Sequence, residues 1–170
     1  MTQSQKDDPI QQILAQARRL QILDAAAQVF SERGYHRATI RQISDRAGIA
    51  DGTIYNYFPS KKELMFAILE DAGTSHYDFI AEHIRKVEDP IQRVERFFEA
   101  GFEFVEDDPA RGQVLVSTLY GTHDEFKGRL YQIYQPMFQL VAQEILAPGM
   151  AQGQFRELDP IAYPSGAAMV

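Results

Sequence analysis

Tyr55, Asn56 and Tyr57 stand in a row between Ile54 and Phe58. Ile54 and Phe58 lie four apart, so on a helix they share one inward face, and the two tyrosines and the asparagine are left over for a partner. Asparagine can pair bidentately with adenine, and Arg41 on the preceding helix can reach a guanine; each such contact is worth about 1–3 kcal/mol of base discrimination. Thr53 and the backbone amides near Thr39 and Ser60 can donate to phosphate oxygens, because a helix start offers free amides and a dipole that favours an anion. Lys61 and Lys62 add positive charge at the same edge. The chemistry on offer is recognition of double-stranded DNA. Plainer readings stand beside it. Either tyrosine can be a core residue with a satisfied hydroxyl, and Arg41 can equally be half of a surface salt bridge. The cluster weighs against the core reading, since Ile54 and Phe58 already supply the buried stripe.

The elements that must hold these residues are written in the local sequence. Thr39 opens a helix with Gln42 three residues on, a pair in which each side chain caps the other's backbone amide; Ile40, Ile43 and Ala47 line that helix, and Gly48 makes the turn. Ser60 and Glu63 repeat the pattern after Pro59. Upstream, Ile22, Leu23, Ala26, Ala27 and Phe30 predict a helix from about Ala17 to Arg33 with Gly34 as its stop, and the first ten residues read as a mobile arm. Downstream, Leu64, Ile68, Leu69, Phe79, Ile80 and Ile84 predict a long helix from Ser60 to about Val87, with Gly73 a tolerated weak point. The pairs Asp89-Pro90, Asp108-Pro109 and Asp159-Pro160 mark further helix starts, aspartate as cap and proline in the first turn. Between them lie an amphipathic segment (Ile91 to Val105), a short apolar one (Val114 to Tyr120) and a long one from Glu125 to about Leu146, with Pro136 a candidate bend. No alternating strand pattern and no internal repeat is present. The chain reads as all-α.

Composition narrows the class. With no cysteine, disulfides, thiolate zinc sites and thiol catalysis are excluded. No apolar run approaches the ~18 residues of a membrane span, and the polar N-terminus lacks the apolar stretch of a signal peptide, so a soluble, cytoplasmic protein is expected. The net charge of −7 is unevenly spread: residues 11–62 hold eight basic against four acidic residues, whereas 63–170 hold eight against eighteen. A basic front on an acidic body suits a chain whose N-terminal third alone faces phosphate. The four histidines, His36, His76, His83 and His123, have no metal-ligand spacing. There is no nucleophile elbow, phosphate loop or dinucleotide fingerprint. No enzyme, cofactor or metal is expected.

Residues 18 to 70 resemble the DNA-binding domain of the TetR family of bacterial transcriptional regulators. Thr39, Ile43, Ala47, Gly48, Gly52, Thr53, Ile54, Tyr55, Tyr57, Phe58, Lys61 and Leu64 fall where that family has the same or a similar residue. The resemblance implies that Thr39, Thr53, Tyr57 and Lys61 hold phosphates, with Arg41, Tyr55 and Asn56 approaching bases. At Ala50 the family often has a serine or threonine that caps the reading helix, and Asp51 is the substitute available here.

The resemblance further implies two domains, a three-helix helix-turn-helix reader (11–62) and a helical ligand-binding and dimerisation domain (63–170). It implies a repressor that binds a palindromic operator as a homodimer and is released by a small hydrophobic effector. The run Ala50 to Tyr55 resembles the subgroup of that family that senses fatty-acyl thioesters, which implies a long-chain acyl thioester as the effector. Phe98, Phe102, Val105, Tyr120, Tyr134, Met137 and Phe138 are the candidate pocket walls, although aromatic stripes at helical spacing are also what any bundle needs. The family's dimer uses its last two long helices, whereas here the chain runs only ten residues past Pro160 and carries Pro164. The dimer surface therefore reads as incomplete at the C-terminus: either the chain is a truncated form, or Ala162 to Val170 end the fold differently, or pairing uses the helix from Glu125 to Leu146. The competing reading is a helical small-molecule carrier or protein-interaction module without specific DNA binding.

Overall fold

The computed structural model describes residues 9–121 and 124–157; residues 1–8 of the expected arm, Asp159-Pro160 and Pro164 lie outside them. Among the described residues every regular element is helical: α1 (Pro9–Arg33), α2 (Ile40–Ala47), α3 (Asp51–Tyr55), α4 (Lys61–Ile84), α5 (Pro90–Asp107), α6 (Pro109–Tyr120), α7 (Asp124–Leu140), a π-helical segment (Val141–Leu146) and α8 (Ala147–Ala151). No helix among them is long and apolar enough to cross a membrane.

Helix α1 begins at Pro9, eight residues before the expected start at Ala17. Its buried residues begin only at Ile22, so the first turns carry no core stripe to announce them. Both described Asp-Pro pairs start helices as expected. Asp89 accepts from the amides of Ile91 and Gln92 at 3.0 Å each, and Asp108 accepts from that of Arg111 at 3.1 Å. Pro136 sits inside α7, where it removes one amide from the ladder, and the helix passes directly into the π-helical segment.

Two apolar clusters form the interior. The larger joins Ile22, Leu23 and Phe30 of α1, Ile43, Ile54 and Phe58 of the reader, and Leu64, Ile68 and Leu69 of α4 to Phe104, Leu115, Phe126 and Leu130 of the body. The smaller holds Ile80, Ile84, Ala100, Met137, Leu140 and Ile145. Helix α4 runs through both, packing against α1, α5, α6 and α7, so the reader shares its core with the body. Gly73 has a positive reason to be glycine: a β-carbon there would clash with Ile133 of α7. The two helices cross at that point.

Between the clusters, Nδ1 of the partly buried His76 lies 2.9 Å from the Tyr134 hydroxyl, and its ring packs on Phe104 at 4.7 Å. Burial pushes the imidazole pKa down, so the folded chain binds this proton less readily than the unfolded chain does. Stability should therefore fall as pH drops below the unfolded value of about 6.5. Melting followed between pH 7 and 5, above the usual carboxylate range, should show a steeper loss for the parent than for His76→Gln; parallel curves would remove His76 as the cause.

Candidate nucleic-acid interface

The reading element is built from the caps outward. Thr39 Oγ1 accepts from the Gln42 amide at 3.2 Å, while Gln42 Oε1 accepts from the Thr39 amide at 3.1 Å. The capping box is complete, and the threonine hydroxyl keeps its proton for another acceptor. At the other end Gly48 adopts φ 65°, the left-handed region that glycine enters without strain, and its amide closes on the Asp45 and Ser44 carbonyls. Helix α1 braces this turn from behind: Gln21 Nε2 donates to the Ala47 carbonyl at 2.7 Å, and Arg18 Nη1 donates to Gln21 Oε1 at 2.8 Å.

Helix α3 starts at Ala50 with no side-chain cap. Asp51 does not take over that role; its carboxylate accepts from the hydroxyl of buried Ser44 on α2. This ties α3 to α2 and holds an acid by a hydrogen bond within the chain. At five residues, α3 is shorter than the reading helix expected from the spacing of Ile54 and Phe58. Ile54 is fully buried, and Phe58 reaches the same core from the turn that follows.

Among the expected base-reading residues, Tyr55 is 52% exposed, and Asn56, which ends α3, is exposed. Arg41 is exposed and has no salt-bridge partner among the described residues, so the salt-bridge alternative is not seen. Gly52 is exposed with open space where a β-carbon would stand; nothing in the chain requires its missing side chain. Thr53 is half-buried.

Two residues sit differently from expectation. Tyr57, read as left over for a partner, is half-buried and packs against the larger cluster. Lys61, read as adding charge at the edge, turns back. Its ammonium donates to the carbonyls of Tyr35 and Ala38 at 2.9 Å each, with His36 at 3.4 Å, and lies 4.5 Å from the Tyr35 ring centre. It serves as a clasp on the α1–α2 loop, whose three carbonyls all converge on it. The neighbouring Lys62 is the more exposed lysine. Ser60 accepts from the Glu63 amide at 3.1 Å, the one half of the expected reciprocal pair that forms.

Charge on this end is left largely unneutralised. Arg46 is held by Glu32 and donates to it from Nη2 at 2.8 Å, and the hydrogen bond from Arg46 pulls the Glu32 carboxyl below its ordinary value. Arg18, Arg19, Arg33, Arg37 and Arg41 make no ion pair among the described residues. Five guanidinium groups with no salt bridge among the described residues, on one small domain, are a source of long-range attraction for phosphate.

The pocket candidates fare differently. Phe98, Phe102, Val105, Tyr120 and Phe138 are exposed, Tyr120 the most at 85%; only Met137, which is buried, and Tyr134, which is half-buried against both clusters, point inward. Helix α5 has apolar residues on two faces. The covered one carries Ala100 and Phe104, and spacing within a single helix cannot say which face a neighbour will cover. The inward-facing residues missing from the pocket candidates are Phe104, His76 and Phe79, which lie together in ring contact.

A capped α2, a left-handed glycine turn and a short α3 whose outward residues are polar and aromatic are the parts of a helix-turn-helix DNA-binding domain. The model of bacterial regulatory proteins of the tetR family matches residues 22–68. The repressor KstR2 of Mycobacterium tuberculosis is 30% identical over 154 residues, covering 82% of this chain and 70% of that protein. The activator FasR of Mycolicibacterium smegmatis is 35% identical over 108 residues, and this chain spans about half of its length, 49%. The crystal structure of FadR from Bacillus subtilis in complex with stearoyl-CoA superposes with a TM-score of 0.72 at 25% identity, covering 84% of this chain and 77% of that one. The chain belongs to the TetR family of bacterial transcriptional regulators, which are not enzymes.

Proposed function

We propose that this chain reads a palindromic operator as a homodimer, as a repressor, and lets go when a small hydrophobic effector occupies the helical body. The observation that carries the reading is the exposure of Tyr55, Asn56 and Arg41, the last with no salt bridge among the described residues, around a braced turn. Arg41, Tyr55 and Asn56 are the base contacts. Thr39, Thr53, Tyr57 and the backbone at Gly52 meet phosphate, and Lys61 contributes its charge while holding the loop in place. Two copies are needed because recognition elements must enter major grooves about 34–36 Å apart or a multiple of that.

A long-chain acyl thioester is the favoured effector. The likeness to the Bacillus subtilis regulator that holds stearoyl-CoA supports it, as does the apolar interior around Phe104, Tyr134 and Met137. Such a ligand acts only through its preference for one body shape, a coupling of about 1–3 kcal/mol.

Duplexes selected from a random pool give the test. The parent should lose affinity steeply with salt as counterions compete. Asn56→Ala should relax preference at one base position by about 1–3 kcal/mol, or about 5- to 150-fold, with nonspecific affinity nearly unchanged. Uniform loss across sequences would assign Asn56 to phosphate or to the fold. A strict monomer by sedimentation at micromolar concentration, with no specific complex at any salt, would leave the carrier reading in its place. Mass spectrometry of the compound carried through purification identifies the effector class, and a polar metabolite there would overturn the acyl assignment.

A further inference from the structure

Arg111, on the first turn of α6, spreads one guanidinium over three elements. Nη2 donates to Asp24 Oδ1 of α1 at 2.7 Å, Nε to Asp71 Oδ2 of α4 at 2.8 Å, and Nη1 to Asp108 Oδ2 at 2.9 Å. Asp108 is itself the junction between α5 and α6, ending one helix and capping the other through its second oxygen. The position of the guanidinium is thus set by that junction, while its two remaining arms grip the helices that carry the reader. Helix α1 braces the α2 turn through Gln21, and α4 opens with the Lys61 clasp. The Arg111 side chain is 16% exposed. Burial alone would lower its pKa, but the hydrogen bonds that it donates to Asp24, Asp71 and Asp108 outweigh that and leave it above the ordinary arginine value.

We propose that Arg111 is a positioning residue for DNA reading: it fixes the orientation of the reader on the body, and passes any shift of the α5–α6 junction to α1 and α4 together. Two features separate this from a simple stabilising brace. Each of the three donors finds a carboxylate on a different element, a fork that lysine, a single point charge, cannot reproduce. The cluster also sets one cation among three anions, so without the guanidinium the carboxylates push α1 and α4 away from α6. The DNA arm of the test rests on the function proposed above; the geometric arm does not.

Because the chain lacks cysteine, spin labels can be placed on the full chain at Asp45→Cys of α2 and Gln113→Cys of α6, both exposed positions. Pulsed dipolar spectroscopy should give a narrow distance distribution in the parent and a clearly broader one in Asp24→Asn and Arg111→Lys. On duplexes that the parent selects, Asp24→Asn should bind about five- to tenfold more weakly with the same base preferences, within the range of ordinary intersite coupling. The sign is the informative part. Removing a negative charge from the reader would, by electrostatics alone, tighten phosphate binding, so weakening reports lost positioning. Variants that melt lower yet keep the parent's distance distribution and affinity would reduce Arg111 to a brace and overturn the proposal. A parent that selects no duplex would defeat the DNA-reading function, and the distance measurement alone would then decide the role of Arg111.

Discussion

Ile54→Ala is expected to detach α3 and abolish specific DNA binding while the body stays folded. A helix of five residues has no stability of its own, since nucleation is unfavourable and short helices depend on packing. The start of α3 at Ala50 has no side-chain cap, so its anchors are the fully buried Ile54, the nearby Phe58 and the Asp51–Ser44 hydrogen bond. Truncating a buried isoleucine typically costs about 2–5 kcal/mol. Release of one short element from the rim of the larger cluster costs less than unfolding the whole chain, so the loss should appear first as local opening. Amide exchange at residues 53–58 should accelerate ahead of the amides in α4, with Ile80 and Ile84 remaining in a protected cluster. Retention of selective duplex binding within about twofold of the parent would show that α3 is held by something other than its buried side chains.

Phe126→Ala should be the most destabilising single truncation in the body. The ring is 1% exposed and meets Tyr35 edge-on at 4.7 Å and Phe66 at 5.5 Å. One side chain of α7 thus ties together the α1–α2 loop and α4. Truncations of this kind cost about 3–5 kcal/mol, and aromatic pairs of this geometry contribute about 0.5–1.5 kcal/mol each beyond their buried area. Tyr35 also carries the Lys61 ammonium over its ring, so the clasp on the loop should loosen as well, with faster amide exchange at Ala38. A urea transition displaced to a lower midpoint at an unchanged slope is the expected signature. A shift equivalent to less than about 1 kcal/mol, well below the usual range for a buried ring, would mean that the neighbours close over the gap.

The fold class and the reading element were legible because their signals are local. The Thr39–Gln42 capping box, the left-handed Gly48 and the two described Asp-Pro caps each involve residues no more than four apart. The same holds for the Ile22–Phe30 stripe, which any covering element would bury. The start of α1 at Pro9 escaped because a helix start with no core stripe behind it has no periodic signal. Gly73 looked like a weakness because the residue that explains it, Ile133, is sixty positions away in the sequence.

By itself, then, the chain of residue types determined that this protein is helical, where most of its described helices begin, and that Ile54 turns inward while Tyr55 and Asn56 do not. Only the tertiary structure decided how charges and aromatic faces are used. It turned Lys61 onto three carbonyls, half-buried Tyr57, left Phe98 and Phe102 outside while taking Phe104 in, and brought the distant Asp24 and Asp71 together with neighbouring Asp108 on Arg111. The reason is physical: caps and stripes are fixed by neighbours within a turn, whereas a charge or a second apolar face takes its role from whichever helix packs against it, and that helix lies tens of residues away.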